Sequence, residues 1–167
     1  MKTDTKIIAY DALEKLRKKA KQESKLTVLT TGCYDILHLG HVVHFNYCKS
    51  KADILVVSVG SDKSARHLKG PNRPINNETF RARMVAALEC VDYVVISEEF
   101  GIMDHTRLVE KLKPDVYVVP STDSMLEEKR QLITENHGKF ITCRRLPPGH
   151  LKGGISTTQI EEKSNGS

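Results

Sequence analysis

Residues 26–49 read LTVLTTGCYDILHLGHVVHFNYCK, and a change of rhythm inside this stretch decides the fold. Leu26 to Thr30 is an apolar run rich in β-branched residues, the pattern of a buried parallel strand. Gly32 breaks it. A polar turn holding Asp35 and His38 follows, and Gly40 leads into the periodic apolar positions Val42, Val43, Phe45 and Tyr47 of a helix. The helix N-terminus therefore stands just beyond the carboxyl end of a strand. Free backbone N–H groups and the helix dipole favour anions there, and open α/β sheets bind their ligands along that edge. His38 and His41 flank the junction with Gly40 between them. The small residue permits close approach to the backbone, and the two imidazoles offer donors to a polyphosphate.

The rest of the chain repeats this alternation. Tyr10 to Gln22 reads as an amphipathic helix with Leu13 and Leu16 inward and Asp11 in its cap or first turn. Asp53 to Val59 is a second buried strand, and Asp62 starts a short helix carrying Lys63, Arg66 and His67. Gly70 to Pro74 forms a loop, and Asn77 caps a helix from Glu78 to Cys90 that exposes Arg81 and Arg83 and buries Met84, Val85 and Leu88. Strands at Asp92–Ile96, Val116–Val119 and Lys139–Cys143 alternate with helices at Asp104–Leu112 and Met125–Asn136. Thr157 to Lys163 is a short final helix and the tail after it frays. The expectation is an α/β fold: a Rossmann-like, doubly wound, parallel five-stranded sheet with helices on both faces. A single domain spans residues 1–167, with its core at about 26–163.

Composition narrows the function classes. A formal charge of +5 is modest and its lysines and arginines are scattered, where a nucleic-acid binder concentrates them on one face with interleaved aromatics. Only Lys15 to Lys21 is dense, and Asp11, Glu14 and Glu23 beside it make a solvated helix face. The positive excess suits phosphate-rich small substrates. Met1 to Lys6 leads into a charged helix, so no signal peptide is expected, and no apolar run reaches the ~20 residues of a membrane span. Cys33, Cys48, Cys90 and Cys143 form no paired metal motif, as expected of reduced cysteines in a cytoplasmic protein.

His38-Leu39-Gly40-His41 matches the His-x-Gly-His signature of the nucleotidyltransferase superfamily, which includes cytidylyltransferases and adenylyltransferases. Three further blocks add to it in the right order. Gly32 to His38 resembles the family's strand-to-helix turn. Leu68-Lys69-Gly70-Pro71-Asn72-Arg73-Pro74-Ile75 resembles the loop of bacterial heptose-phosphate adenylyltransferases, and Gly154 to Ile160 resembles a late Ser-Thr-Thr motif that opens the last helix. The chemistry this implies is attack by a substrate phosphate oxygen on the α-phosphorus of a nucleoside triphosphate, with pyrophosphate leaving. The nucleophile is already an anion, so the protein's task is in-line positioning and stabilisation of shifting charge.

The resemblance assigns the phosphate-stabilising role to His38 and His41. Lys69 and Arg81 are the cations expected to clamp the triphosphate, ahead of Lys63, Arg73 and Arg83. Nucleotide-binding candidates are Thr31, Gly32, Cys33, Tyr34, Asp35 and Gly40 around the turn, then Asp62, then Lys152, Ser156, Thr157 and Thr158. Ser156 and Thr157 read locally as a helix cap, a geometry that also binds phosphate. Lys152 stands where cytidylyltransferases carry an arginine. Asp35 either helps hold Mg2+, which the triphosphate mainly carries, or orients a histidine, or simply caps the turn. His44 extends the spacing to His-x2-His-x2-His, a possible zinc site, though no cysteine pair or carboxylate completes it nearby.

The sequence thus favours transfer from ATP to a sugar phosphate such as heptose 1-phosphate. A CTP-dependent enzyme acting on glycerol 3-phosphate or another polyol phosphate keeps the same chemistry, and a nucleotide-binding module without turnover is the remaining alternative. Pro120-Ser121-Thr122-Asp123 replaces the lysine-glycine-glycine-aspartate-like run of heptose enzymes and so bears on the base or acceptor pocket. The resemblance implies a homodimer; neither nucleic acid nor a membrane is an expected partner. No dinucleotide or P-loop glycine signature occurs anywhere in the chain.

Overall fold

The computed structural model describes residues 3–144. Five strands lie in the order β3-β2-β1-β4-β5, all parallel: β1 (Thr27–Gly32), β2 (Ile54–Val59), β3 (Tyr93–Ile96), β4 (Val116–Pro120) and β5 (Lys139–Cys143). The helices between them are α1 (Leu13–Gln22), α2 (Leu39–Lys49), α3 (Asp62–Lys69), α4 (Glu78–Ala86), α5 (Thr106–Leu112) and α6 (Leu126–Glu135). The chain winds outward from β1 through β2 to β3, then crosses back to β4 on the other side. The order therefore reverses between β1 and β4, which places the ligand crevice at their carboxyl ends.

Period-two alternation divides the sheet residues between two cores. Val28, Leu55, Val57 and Val59 pack with Phe45 and Cys48 of α2 and Ala82 and Val85 of α4. Leu29, Val56, Tyr117 and Val119 face the other way, against Leu13 and Leu16 of α1, Leu108 and Leu112 of α5 and Ile133 of α6. Burial on both faces explains why these strands read as continuous apolar runs.

Several boundaries differ from the sequence expectation. The first helix begins as a 3-10 turn at Tyr10–Ala12 and becomes regular at Leu13. β1 starts at Thr27, leaves Leu26 half exposed and runs on through Gly32. α4 stops at Ala86, and Asn77 caps it as expected, its side chain accepting the Phe80 N–H at 2.9 Å. Its faces correct the reading most: Arg81 is 1% exposed and Met84 58%.

Candidate functional site

The site is assembled on the turn from β1 to α2. Tyr34 adopts φ 51, a left-handed conformation that costs a non-glycine residue about 1–3 kcal/mol. Its ring folds back over Gly32, where an added Cβ would lie 2.8 Å from the Tyr34 Cζ, so only glycine fits beneath it. The ring is buried and meets His41 edge-on, with centroids 5.3 Å apart, and Phe45 at 5.0 Å. His38 stands at the N-cap position of α2 in extended backbone. Its imidazole stacks on that of His41, with centroids 3.9 Å apart and ring planes 24° apart. A Cβ on Gly40 would approach two atoms of the His38 ring to 3.0 Å, so the glycine between the histidines makes room for their stacking. Two ring systems thus stand side by side at a helix N-terminus over the end of β1.

Two buried charged residues lock the surrounding loops to this turn. Asp35 is 4% exposed. One carboxylate oxygen accepts the N–H groups of Ile75 and Asn76 at 2.8 and 3.0 Å, and the other accepts the Arg73 guanidinium at 2.6 Å. The Asn76 amide donates back to the Asp35 carbonyl at 3.0 Å. Burial alone would raise the Asp35 pKa, but the two amides and Arg73 outweigh it and hold the carboxyl below its ordinary range. With both oxygens engaged, Asp35 does not fit the role of a metal ligand; it anchors the loop that precedes α4. Among the described residues no group of three or more His, Cys, Asp or Glu side chains is placed to hold a metal ion.

Arg81 is the counterpart hub. Its guanidinium donates to the Asn76 carbonyl at 2.9 Å, to the Cys33 carbonyl, and to the Asp62 carboxylate at 2.7 Å. It lies beneath the site and ties the turn, the 70–77 loop and the start of α3 together, where exposure on α4 was expected. Asp62 is engaged twice, since its own N–H donates to Glu78 at 2.7 Å. Its carboxylate and amide are thus both tied to α4.

Lys69 is exposed in the last turn of α3. Burial pushes the Cys33 thiol up, against the opposing pull of Lys69, Arg81 and Arg73, which marks these cations as neighbours of the turn. Lys63 instead sits 4.8 Å over the Phe100 ring, and Arg83 pairs with Asp4 at 3.2 Å. Thr31, at the reversal point, shares a 2.8 Å hydrogen bond with the Tyr117 hydroxyl of β4. His44 is not the third member of a metal triad: it turns to the sheet, 2.8 Å from the Thr30 hydroxyl and 3.2 Å from the Cys143 thiol. Residues 120–125 form a tight turn closed by Asp123, which accepts the Met125 N–H at 2.9 Å and pairs with the buried Lys129 at 2.7 Å. Lys152, Ser156, Thr157, Thr158 and the expected final helix lie outside the described residues.

Sequence reasoning passed over Asn76, Glu78 and Tyr117, and ranked Arg73 too low. The two asparagines before α4 were a usable signal, since one caps the helix and its neighbour is free to brace a loop. Nothing local marked Tyr117, which looks like any strand aromatic.

The sequence profile of the cytidylyltransferase-like family matches residues 29–163. The chain is 38% identical over 161 residues to the bifunctional protein HldE of Geotalea uraniireducens, covering 96% of this chain and 31% of that one. Against the HldE of Geobacter metallireducens it is 45% identical over 116 residues, 70% of this chain and 23% of the relative. It thus spans between about a quarter and a third of the length of these curated relatives. Among solved structures, a lipopolysaccharide core biosynthesis protein from Thermoplasma volcanium superposes with a TM-score of 0.65 at 28% identity, over 73% of this chain and 98% of that one. A pantoate-beta-alanine ligase from Francisella tularensis, at 16% identity and a TM-score of 0.64 over 95% of this chain and 76% of that one, shares the fold. With its signature histidines stacked at the carboxyl edge of a 3-2-1-4-5 sheet and the profile covering most of its length, the chain belongs to the cytidylyltransferase-like family of nucleotidyltransferases.

Proposed function

We propose that this protein transfers a nucleoside monophosphate from a nucleoside triphosphate, with ATP preferred, to a sugar phosphate of the heptose 1-phosphate type. The observation that carries the reading is the stacked His38–His41 pair at the N-terminus of α2, above the end of β1 and beside the reversal of strand order. An acceptor phosphate oxygen attacks the α-phosphorus, a new P–O bond forms, and the bond to the β-phosphate bridging oxygen breaks, releasing pyrophosphate. The imidazoles donate hydrogen bonds to phosphate oxygens as negative charge moves toward the leaving group, and the helix N-terminus adds its positive end. Lys69, exposed where Arg81 is buried, is the cation expected to clamp the triphosphate. Arg81 and Asp35 act one layer below, by holding the turn.

The names of the HldE relatives and of the lipopolysaccharide neighbour support a sugar phosphate as acceptor. Mg2+ enters with the triphosphate, held mainly by phosphate oxygens. The working protein is a cytoplasmic homodimer, with neither nucleic acid nor a membrane as partner. Among the described residues no helix is long and apolar enough to cross a membrane. The test is pyrophosphate release with each of the four triphosphates against a panel of sugar and polyol phosphates. ATP is expected to exceed CTP in kcat/KM with a sugar 1-phosphate, that ratio being the measure of transition-state discrimination. A clear preference for CTP with glycerol 3-phosphate would replace the adenylyl reading and leave the phosphate chemistry in place.

A further inference from the structure

Beneath the paired histidines runs a line of polar groups that the transfer chemistry does not use. His44 is one turn beyond His41 on α2, yet its ring points into the protein. Its Nε2 lies 2.8 Å from the Thr30 hydroxyl of β1 and 3.5 Å from the Cys48 thiol, and its Nδ1 lies 3.2 Å from the Cys143 thiol at the end of β5. Burial pushes the Tyr34 phenol up and the Thr30 side chain opposes that shift, while the Tyr34 ring supports His41 edge-on. The Cys143 thiol in turn donates to the Val119 carbonyl of β4 at 3.6 Å.

One arrangement of protons satisfies the whole line. The Cys143 proton goes to Val119, so its sulfur accepts from His44 Nδ1–H. The Nε2 of the neutral ring is then an acceptor for the Thr30 hydroxyl, and the Thr30 oxygen accepts the Tyr34 proton. The groups facing the ring are therefore Thr30 from β1, Cys48 from its own helix, Cys143 from β5 and, through Thr30, Tyr34 from the turn. An apolar residue would fill this space without the cost of burying an imidazole. What the imidazole adds is direction, because a fully bonded ring fixes the rotation of α2 against two strands.

We propose that His44 is a positioning residue for His38 and His41, fixing both the helix that carries them and the Tyr34 ring that His41 rests on to the last strand of the sheet. The catalytic half of this proposal rests on the nucleotidyltransferase reading; the geometric half does not. β5 is also the strand that leads in sequence to Lys152 and the Ser156–Thr158 run.

The experiment compares wild type with His44→Leu, which fills the volume without hydrogen bonds, and with His44→Asn and Cys143→Val, which keep and remove the Nδ1 contact. In His44→Leu, kcat is expected to fall about tenfold while KM for the triphosphate stays within about twofold, and His44→Asn should recover part of the loss. Side-chain 1H–15N spectra of the ligand-free protein supply a readout independent of turnover. The His38 and His41 ring signals should shift and their titration midpoints move by about 0.5 pH or more. Unchanged ring signals in folded His44→Leu, or in Cys143→Val where the leucine variant does not fold, overturn the proposal. Ring signals that move in His44→Leu while the wild type itself shows no transfer activity would instead retire the enzymatic reading and keep the positioning one.

Discussion

The two ends of the sheet use the same chemistry for different ends. At the amino end, three aspartates each accept the N–H of a residue entering a strand: Asp53 takes Leu26 at 2.8 Å, Asp92 takes Leu55 at 2.7 Å and Asp115 takes Thr27 at 2.8 Å. Asp115 also holds Arg17 of α1 through two hydrogen bonds of 2.8 and 3.0 Å, and Lys49 of α2 reaches Asp92 at 2.6 Å. These contacts staple strands and helices to each other. At the carboxyl end the charged hubs are Asp35 and Arg81, and they join loops rather than strands. Carboxylates at the amino end secure the fold, whereas those at the carboxyl end determine where the two histidines stand. Mutations should therefore separate into losses of stability and losses of turnover.

The largest effect is expected where the two roles meet. Arg81→Ala removes a buried cation and strands the Asp62 carboxylate and two carbonyls, a loss of about 3–5 kcal/mol for a broken buried pair. Urea unfolding would show it, and whatever protein stays folded should have lost most of its turnover. Full activity in a folded Arg81→Ala protein would erase the distinction between the two ends.

The pH dependence of stability comes next. Burial pushes the His44 pKa down to about 4, from an ordinary value near 6.5 in the unfolded chain. Between those values the unfolded chain binds the extra proton, so stability is whole above about pH 6.5, falls as pH drops toward 4 and then levels off. The loss is on the order of 3 kcal/mol between the two limits. Asp35 and Asp115 are shifted in the same direction but for a different reason and at lower pH: burial would raise their pKa values, but their hydrogen bonds and cations outweigh it and hold both carboxyls below the ordinary range. Their contribution is present above that range and is lost only as pH falls through the lowered values. Thermal melts from pH 7 to 3 should show two separate phases, and His44→Leu should abolish the first. A single acid phase, unchanged by that substitution, would contradict the assignment.

His41→Ala follows, with kcat lower by a factor on the order of 10², equivalent to about 2.7 kcal/mol of transition-state stabilisation. Its melting temperature should stay near wild type, since the ring lies at the ligand edge. Rates near wild type would remove His41 from the chemistry. Asp115→Ala is the mirror image and the smallest effect. It should cost about 2 kcal/mol, or roughly 4–8 °C in Tm, by leaving the Thr27 N–H and Arg17 without their acceptor. Its kcat in the folded protein should match wild type, and a tenfold drop would show that the amino end also sets the site.

How much of this was legible in sequence depends on the distance over which each feature is decided. Continuous apolar runs separated by amphipathic stretches were enough for the parallel sheet, and β5 fell on Lys139–Cys143 as read. Asn77 declared itself as a cap because a cap acts three residues away. The histidine pair was equally legible, since the spacing that brings the rings together lies within four residues of one helix terminus.

Tertiary structure alone decided the rest. On α4, Phe80 and Met84 lie on the exposed side and Arg81 on the buried one, the reverse of what hydrophobicity suggests. No local rhythm could show that, because Arg81 is buried by its bonds to Cys33 and Asp62, 48 and 19 positions earlier. Asp35 looked like a ligand or a turn cap until its partners, 38 to 41 positions later, were seen to consume both oxygens. His44 completed a metal-like spacing on paper, yet Thr30 and Cys143, 14 and 99 positions away, turned its ring inward. Sequence determined what recurs along one strand or one helix turn. A buried polar group must satisfy its hydrogen bonds wherever the fold brings a partner, and only the folded chain settles where that is.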